Sequence, residues 1–136
     1  MKYLLMLYAD EKAGAALPPE RMEKAMQNMY AYQDALKKAG AFVMTSPLAR
    51  TTDARTVRME GGEIRYSDKG NVAAFVNDTG DLKVHDGPYA ETREQLGGFY
   101  IIEARDMDDA LKWAAKCPAA QWGSIEVRAM IPGYAG

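Results

Sequence analysis

"KYLLMLYA", residues Lys2–Ala9, decides the fold: it is a short run, apolar on both faces, with a tyrosine near each end. A stretch this short and this evenly apolar suits a central, doubly covered strand rather than a helix. The next stretch, "PPERMEKAMQNMYAYQDALKKAG" (18–40), has a different period. Pro19 suits the first turn of a helix and Gly40 a left-handed stop. Met22, Ala25, Met29, Tyr32, Leu36 and Ala39 recur at spacings of three and four, giving one apolar stripe. The stripe reads as core packing against a sheet, with a pliable, methionine-lined ligand wall as the alternative.

Working outward, "AFVMTSPLA" (41–49) reads as a second strand ending near Pro47. "RTVRMEGGEIRYS" (55–67) has a Gly61-Gly62 hairpin signal between alternating runs, and "NVAAFVNDTGDLKVHD" (71–86) reads as another hairpin turning at Asp78-Thr79-Gly80. "GGFYIIEA" (97–104) is rich in strand formers. "DMDDALKWAAKCP" (106–118) reads as a helix capped by Asp106, with Asp109 in its first turn and Pro118 ending it. "SIEVRAMI" (124–131) alternates as a last strand. The order is β-α-β, one or two hairpins, β-α-β, which predicts an α+β, ferredoxin-like split βαβ fold with inserted central strands. No linker or repeat interrupts it, so one domain over residues 1–136 is expected.

A ferredoxin-like sheet has helices on one face only. In Lys2–Ala9 one alternating set meets the helices, while Tyr3, Leu5 and Leu7, or their complement, would form an uncovered apolar face. Monomers rarely tolerate such a face, so a homodimer is expected. The other totals narrow the function classes. The 136 residues are 48% apolar and 26% charged, with a net charge of −2. No basic stripe suits a nucleic-acid backbone, and no run is long enough for a membrane span. One cysteine, Cys117, excludes an intrachain disulfide and fits a cytoplasmic setting. One histidine with one cysteine makes no usual zinc site, no calcium-loop spacing is present, and neither metal nor cofactor is expected. Asp10-Glu11, Asp53, Asp78, Asp81 and Asp106-Asp108-Asp109 read as turns and caps, and Trp113 and Trp122 as packing.

The chemistry-bearing residues gather in "VHDGPYAETREQLGGFY" (84–100). Gly87 precedes Pro88 and must be extended or in a glycine-only conformation. Asp86, at a strand end, can accept bonds from the turn's N–H groups. Thr92 with Gln95 matches a capping box, predicting one helical turn before Gly97-Gly98 re-enter the sheet. His85, Asp86, Tyr89, Glu91 and Arg93 remain, a set able to move protons and hold an anion. His85 and Asp86 are neighbours on a strand and point to opposite faces.

Three readings follow. In the first, Tyr89, Arg93 and His85 bind a small anionic or carbonyl-bearing ligand. In the second, Asp86 or Glu91 serves as base in a proton-transfer or elimination enzyme, with Arg93 holding the anion and Tyr89 donating. In the third, the motif is a structural staple and the outer surface meets a regulatory partner.

"DGPYAETREQLGGFYIIEA", with "DMDDALKWAAKCP", "IEVRAMI" and the opening "KYLLMLYADE", resembles the YCII-related superfamily, and within it the DGPF branch. Tyr89 stands for the usual Phe and Arg93 for the usual Lys, while the segment between "ARTVRM" and "KVHDGPY" is longer than usual. The resemblance implies a ferredoxin-like dimer, an α+β barrel, with a cleft near the DGPY turn. His85 falls outside the family pattern. Some relatives are similar to dehalogenating or lactone-processing enzymes with a His-Asp dyad, the His lying on the first helix. Met29 falls near that position here, so the resemblance does not carry the dyad to this chain. By genome context the branch also resembles companions of extracytoplasmic-function sigma factors.

Overall fold

In a computed structural model that describes residues 1–65 and 79–133, the chain forms two compact units, Met1–Arg50 with Thr92–Gly136, and Thr51–Glu91. The elements of the first unit run β1 (Lys2–Ala9), α1 (Glu11–Ala15), α2 (Pro19–Lys38) and β2 (Phe42–Pro47). The inserted unit holds β3 (Arg55–Glu60) and β4 (Asp81–Asp86). The chain then returns through β5 (Gln95–Glu103), α3 (Met107–Lys116) and β6 (Gly123–Ala129).

The four strands of the first unit form an antiparallel sheet in the order β2-β5-β1-β6. β1 is central, as its two apolar faces require. Alternating strands with helices returning between them give the α+β arrangement expected of a ferredoxin-like fold. Tyr3 and Leu5 on β1 and Tyr100 and Ile102 on β5 are buried against Tyr32 and Leu36 of α2 and Ala110 and Ala114 of α3. Burying Leu5, Leu36 and Ile102 completely contributes about 1.5–3 kcal/mol for each side chain. The Tyr32 hydroxyl donates to the Trp113 carbonyl at 2.8 Å, and its ring meets Tyr100 edge-on at 5.4 Å, joining α2, α3 and the sheet. The complement of the β1 set lies on the helix-free face: Leu4 pairs with Ile101 and Met6 with Phe99, all partly exposed in the single chain.

Local signals account for the ends of the helices. Pro19 opens α2, and Gly40, at φ +71°, follows its last turn. The Asp106 carboxylate accepts the Asp109 N–H at 2.9 Å and starts α3. Asp10 caps α1, a one-turn helix the apolar period does not reveal, by accepting from Lys12 and Ala13.

In the inserted unit, β3 pairs antiparallel with β4 from Arg55↔Asp86 to Glu60↔Asp81. Gly61-Gly62 is therefore not a tight turn folding residues 63–65 back onto β3. The chain runs on beside its partner, with the Glu63 N–H donating to Thr79 Oγ1 at 2.6 Å. Both glycines have positive φ, and a Cβ on Gly62 would meet the Gly80 backbone nitrogen at 2.3 Å. They serve close backbone approach. The first arm of the expected second hairpin lies outside the described residues.

Candidate functional site

The Asp-Gly-Pro-Tyr turn closes β4 and is tied by three contacts to β3 and the residue before it. Gly87 adopts φ +109°, a region open to glycine, which accounts for a glycine before Pro88. Its N–H donates to the Ala54 carbonyl at 2.7 Å, and its carbonyl accepts the Thr56 hydroxyl at 3.0 Å. The Asp86 carboxylate meets Arg55 Nε at 3.0 Å. It does not cap the turn's own N–H groups, because the strand register puts Arg55 directly opposite.

The other candidates of the inserted unit are exposed. His85, across from Thr56, faces away from Asp86 as strand alternation requires. Tyr89 is 79% exposed and lies against the Arg58 guanidinium, 5.5 Å from its ring centroid. Glu91 is exposed and ends the unit. Asp86, Tyr89 and Glu91 thus belong to the inserted unit, and Arg93 to the other.

Thr92 to Gly98 open the return to the first unit. The capping box is not formed, since Gln95 is already in β5 opposite Ala9. The Thr92 hydroxyl instead donates to the Glu94 carbonyl. The Gln95 side chain braces two segments: its amide N–H donates to the Thr92 carbonyl at 2.5 Å, and its carbonyl oxygen accepts the Glu11 N–H at 2.9 Å. Arg93 lines an open polar depression of about 810 Å³ with Asp10, Glu94, Trp122, Ser124 and Glu126. There Ser124 donates to Glu94 at 2.7 Å.

The Gly-Gly pair divides its roles. β1 pairs Leu7 with Gly98 and Tyr8 with Leu96, so Gly97 is the extra residue of a β-bulge. A Cβ on Gly98 would meet the Ser46 carbonyl oxygen at 3.1 Å, whereas one on Gly97 would meet nothing within 4 Å.

Gly97 also lines a cavity of about 620 Å³. Gln95, Gly97 and Ala9 form its sheet side, α1 and Leu17 another wall, and Met22, Met26 and Met29 of α2 its apolar side, with Trp122 among the lining residues. A second cavity of about 380 Å³ shares Ala9, Met26, Met29, Gly97 and Trp122 with it. The apolar stripe of α2 is therefore core only in part. Tyr32 and Leu36 are buried, but Met22 and Met26 remain 39% and 42% exposed. Trp113 packs against the core as expected, while Trp122, 48% exposed, lines the cavities rather than filling the interior. The methionines and the second tryptophan were the available sequence signal, but helical spacing does not say where the sheet beneath a helix ends. Among the described residues, no group of histidine, cysteine and carboxylate side chains has a metal-binding arrangement. No described helix is long and apolar enough to cross a membrane.

The chain is 35% identical over 130 residues to the uncharacterised protein R00369 of Rhizobium meliloti (strain 1021), an alignment covering 94% of this chain and 90% of the relative. The sequence profile of the YCII-related domain matches residues 1–133. A match over that span, on an antiparallel sheet backed by α2 and α3, places the chain in the YCII-related domain family.

Proposed function

We propose that the chain is a small-molecule-binding protein of the DGPF branch of its family, with its ligand in the cavity between α2, α1 and the start of β5. One observation carries this reading. Met22 and Met26 stay exposed beside Trp122 around about 620 Å³ of concave, largely apolar space. That volume lies within the range of about 300–1,000 Å³ usual for small-molecule sites. Unbranched, polarizable methionine side chains adapt to an irregular ligand. Gly97→Leu tests the reading, because it adds a large side chain at a lining residue whose Cβ meets no neighbour. Ligand extracted from natively purified protein and identified by mass spectrometry should be depleted in the variant. Equal occupancy in both proteins overturns the reading.

The contacts around Asp86 and Gly87 support the staple reading of the Asp-Gly-Pro-Tyr turn. A carboxylate exposed to water and paired with Arg55 is a poor general base. Asp86→Asn should leave ligand occupancy unchanged, whereas loss of occupancy would return the turn to the binding site. We further propose that the helix-free face bearing Leu4, Met6, Phe99 and Ile101 joins two copies of the chain. Met6→Glu should then shift the molar mass by light scattering from dimer to monomer, and a wild-type monomer would end this proposal.

A further inference from the structure

The cavity-facing surface of α2 has two chemically distinct ridges. Met22, Met26 and Met29 form one at helical spacings of four and three, while Arg21, Lys24 and Asn28 form a second at spacings of three and four. Both ridges line the same cavity.

We infer that the ligand is a small amphiphilic monoanion, with an aromatic or alkyl body against the methionines and Trp122 and a carboxylate held by Arg21 and Lys24. This rests on the proposed use of the cavity and adds the ligand's charge and polarity. Arg21 and Lys24 enter no ion pair among the described residues. They lie about 4.5 Å apart along the helix axis, so one carboxylate can lie between them. Arg21 also stands in the first turn of a helix that no side chain caps, where Glu20 is the acidic residue. The positive end of the helix disfavours a cation there and favours an anion. The acids of the opposite wall are Asp10 and Glu11. The Asp10 carboxylate accepts from the N–H groups of Lys12 and Ala13. The neutral Gln95 side chain is likewise occupied, donating to Thr92. Arg21 and Lys24 stand on the same wall as the methionines, so a ligand body lying along that wall brings its polar end to the cations of α2.

The test compares decanoate, decan-1-ol and decyltrimethylammonium below their micellar range. Binding is followed by tryptophan fluorescence, with Trp122→Phe confirming which tryptophan reports. Decanoate should bind at least tenfold more tightly than decanol, and decyltrimethylammonium more weakly than either. Arg21→Gln combined with Lys24→Gln changes exposed side chains and should bring decanoate to the affinity that decanol shows for the same variant. Added salt should narrow the same gap. Gly97→Leu should weaken all three ligands. Equal binding of decanol and decanoate, with sensitivity to Gly97→Leu, overturns the charge inference and leaves the cavity standing. Binding of none of the three, or binding indifferent to Gly97→Leu, overturns both.

Discussion

The two glycines of the Gly97-Gly98 pair should respond to alanine with opposite signs. At Gly98 the new Cβ would sit 3.1 Å from the Ser46 carbonyl oxygen and 3.4 Å from the Pro47 Cα. Both neighbours are backbone, so relief requires β2 and β5 to move apart. Overpacking of this kind costs about 1–3 kcal/mol. At Gly97 the Cβ meets open space, and φ is not in the positive region. Restricting the unfolded chain there should stabilise the protein by about 0.4–1 kcal/mol. With 136 residues, the unfolding entropy is about 0.29 kcal/mol/K, so each kcal/mol moves the melting temperature by about 3.5 °C. Gly98→Ala should therefore melt about 3–10 °C lower and Gly97→Ala about 1–3 °C higher, separating the variants by several degrees in one calorimetric or circular-dichroism experiment. A Gly98→Ala protein as stable as wild type, or a Gly97→Ala protein below it, would refute the division of roles between bulge and close approach.

Leu36→Ala removes a fully buried side chain from the contact of α2 with the sheet, and should cost about 2–5 kcal/mol in urea unfolding. Burial, first, and the neighbouring Cys117 and Tyr100 raise the Tyr32 phenol above its ordinary value of 10.0. The folded state thus favours the neutral phenol, and its contribution, complete below the unfolded pKa near 10, is lost as pH rises toward the folded one. Stability should fall in that alkaline window, and Tyr32→Phe should flatten the fall while losing about 1 kcal/mol at neutral pH with its hydrogen bond to Trp113. Cys117 is 1% exposed, and burial pushes its thiol up. A disulfide reagent at pH 8 should label it slowly in the native protein and rapidly in urea; equal rates would contradict its place in the core.

The βαβ frame was legible because its signals are local or strictly periodic. A doubly apolar "KYLLMLYA" became the central strand, Pro19 and Gly40 bounded α2, and Asp106 capped α3. Pairing partners were harder to read, because alternation in Arg55–Glu60 suits either neighbour equally. Two glycines resemble a turn whether the chain reverses there or, as here, runs close to Gly80. The Thr92-Gln95 pattern failed for a related reason. A capping box and a strand entry ask for the same residue types, and the choice was made by Glu11, far away in sequence, whose N–H the Gln95 side chain accepts. At the site, Gly87 and the opposed directions of His85 and Asp86 were readable from backbone rules. The Arg55 partner of Asp86 depended on a long-range register. The cavity was hidden because the period of α2 is continuous along its 20 residues, about 30 Å, while its burial is not.

Core stability accounts for only the C-terminal half of that stripe. Tyr32 and Leu36 are buried against the sheet, so their apolar character needs no ligand. Met22 and Met26 forgo part of the burial free energy, about 25 cal/mol for each Å² of apolar surface left in water, and a polar residue at either position would cost the fold little. An apolar ligand would recover that surface, and the same helix supplies Arg21 and Lys24, which enter no ion pair among the described residues, beside it. The walls opposite are set by the motif that first drew attention for its reactive side chains. Gln95 holds the start of α1, and Gly97 leaves its Cβ space empty. The "DGPYAETREQLGG" run (86–98) contributes more through its backbone and its bracing amide than through its titratable groups. One end fastens β4 to β3 and the other lines the cavity beside methionine and tryptophan.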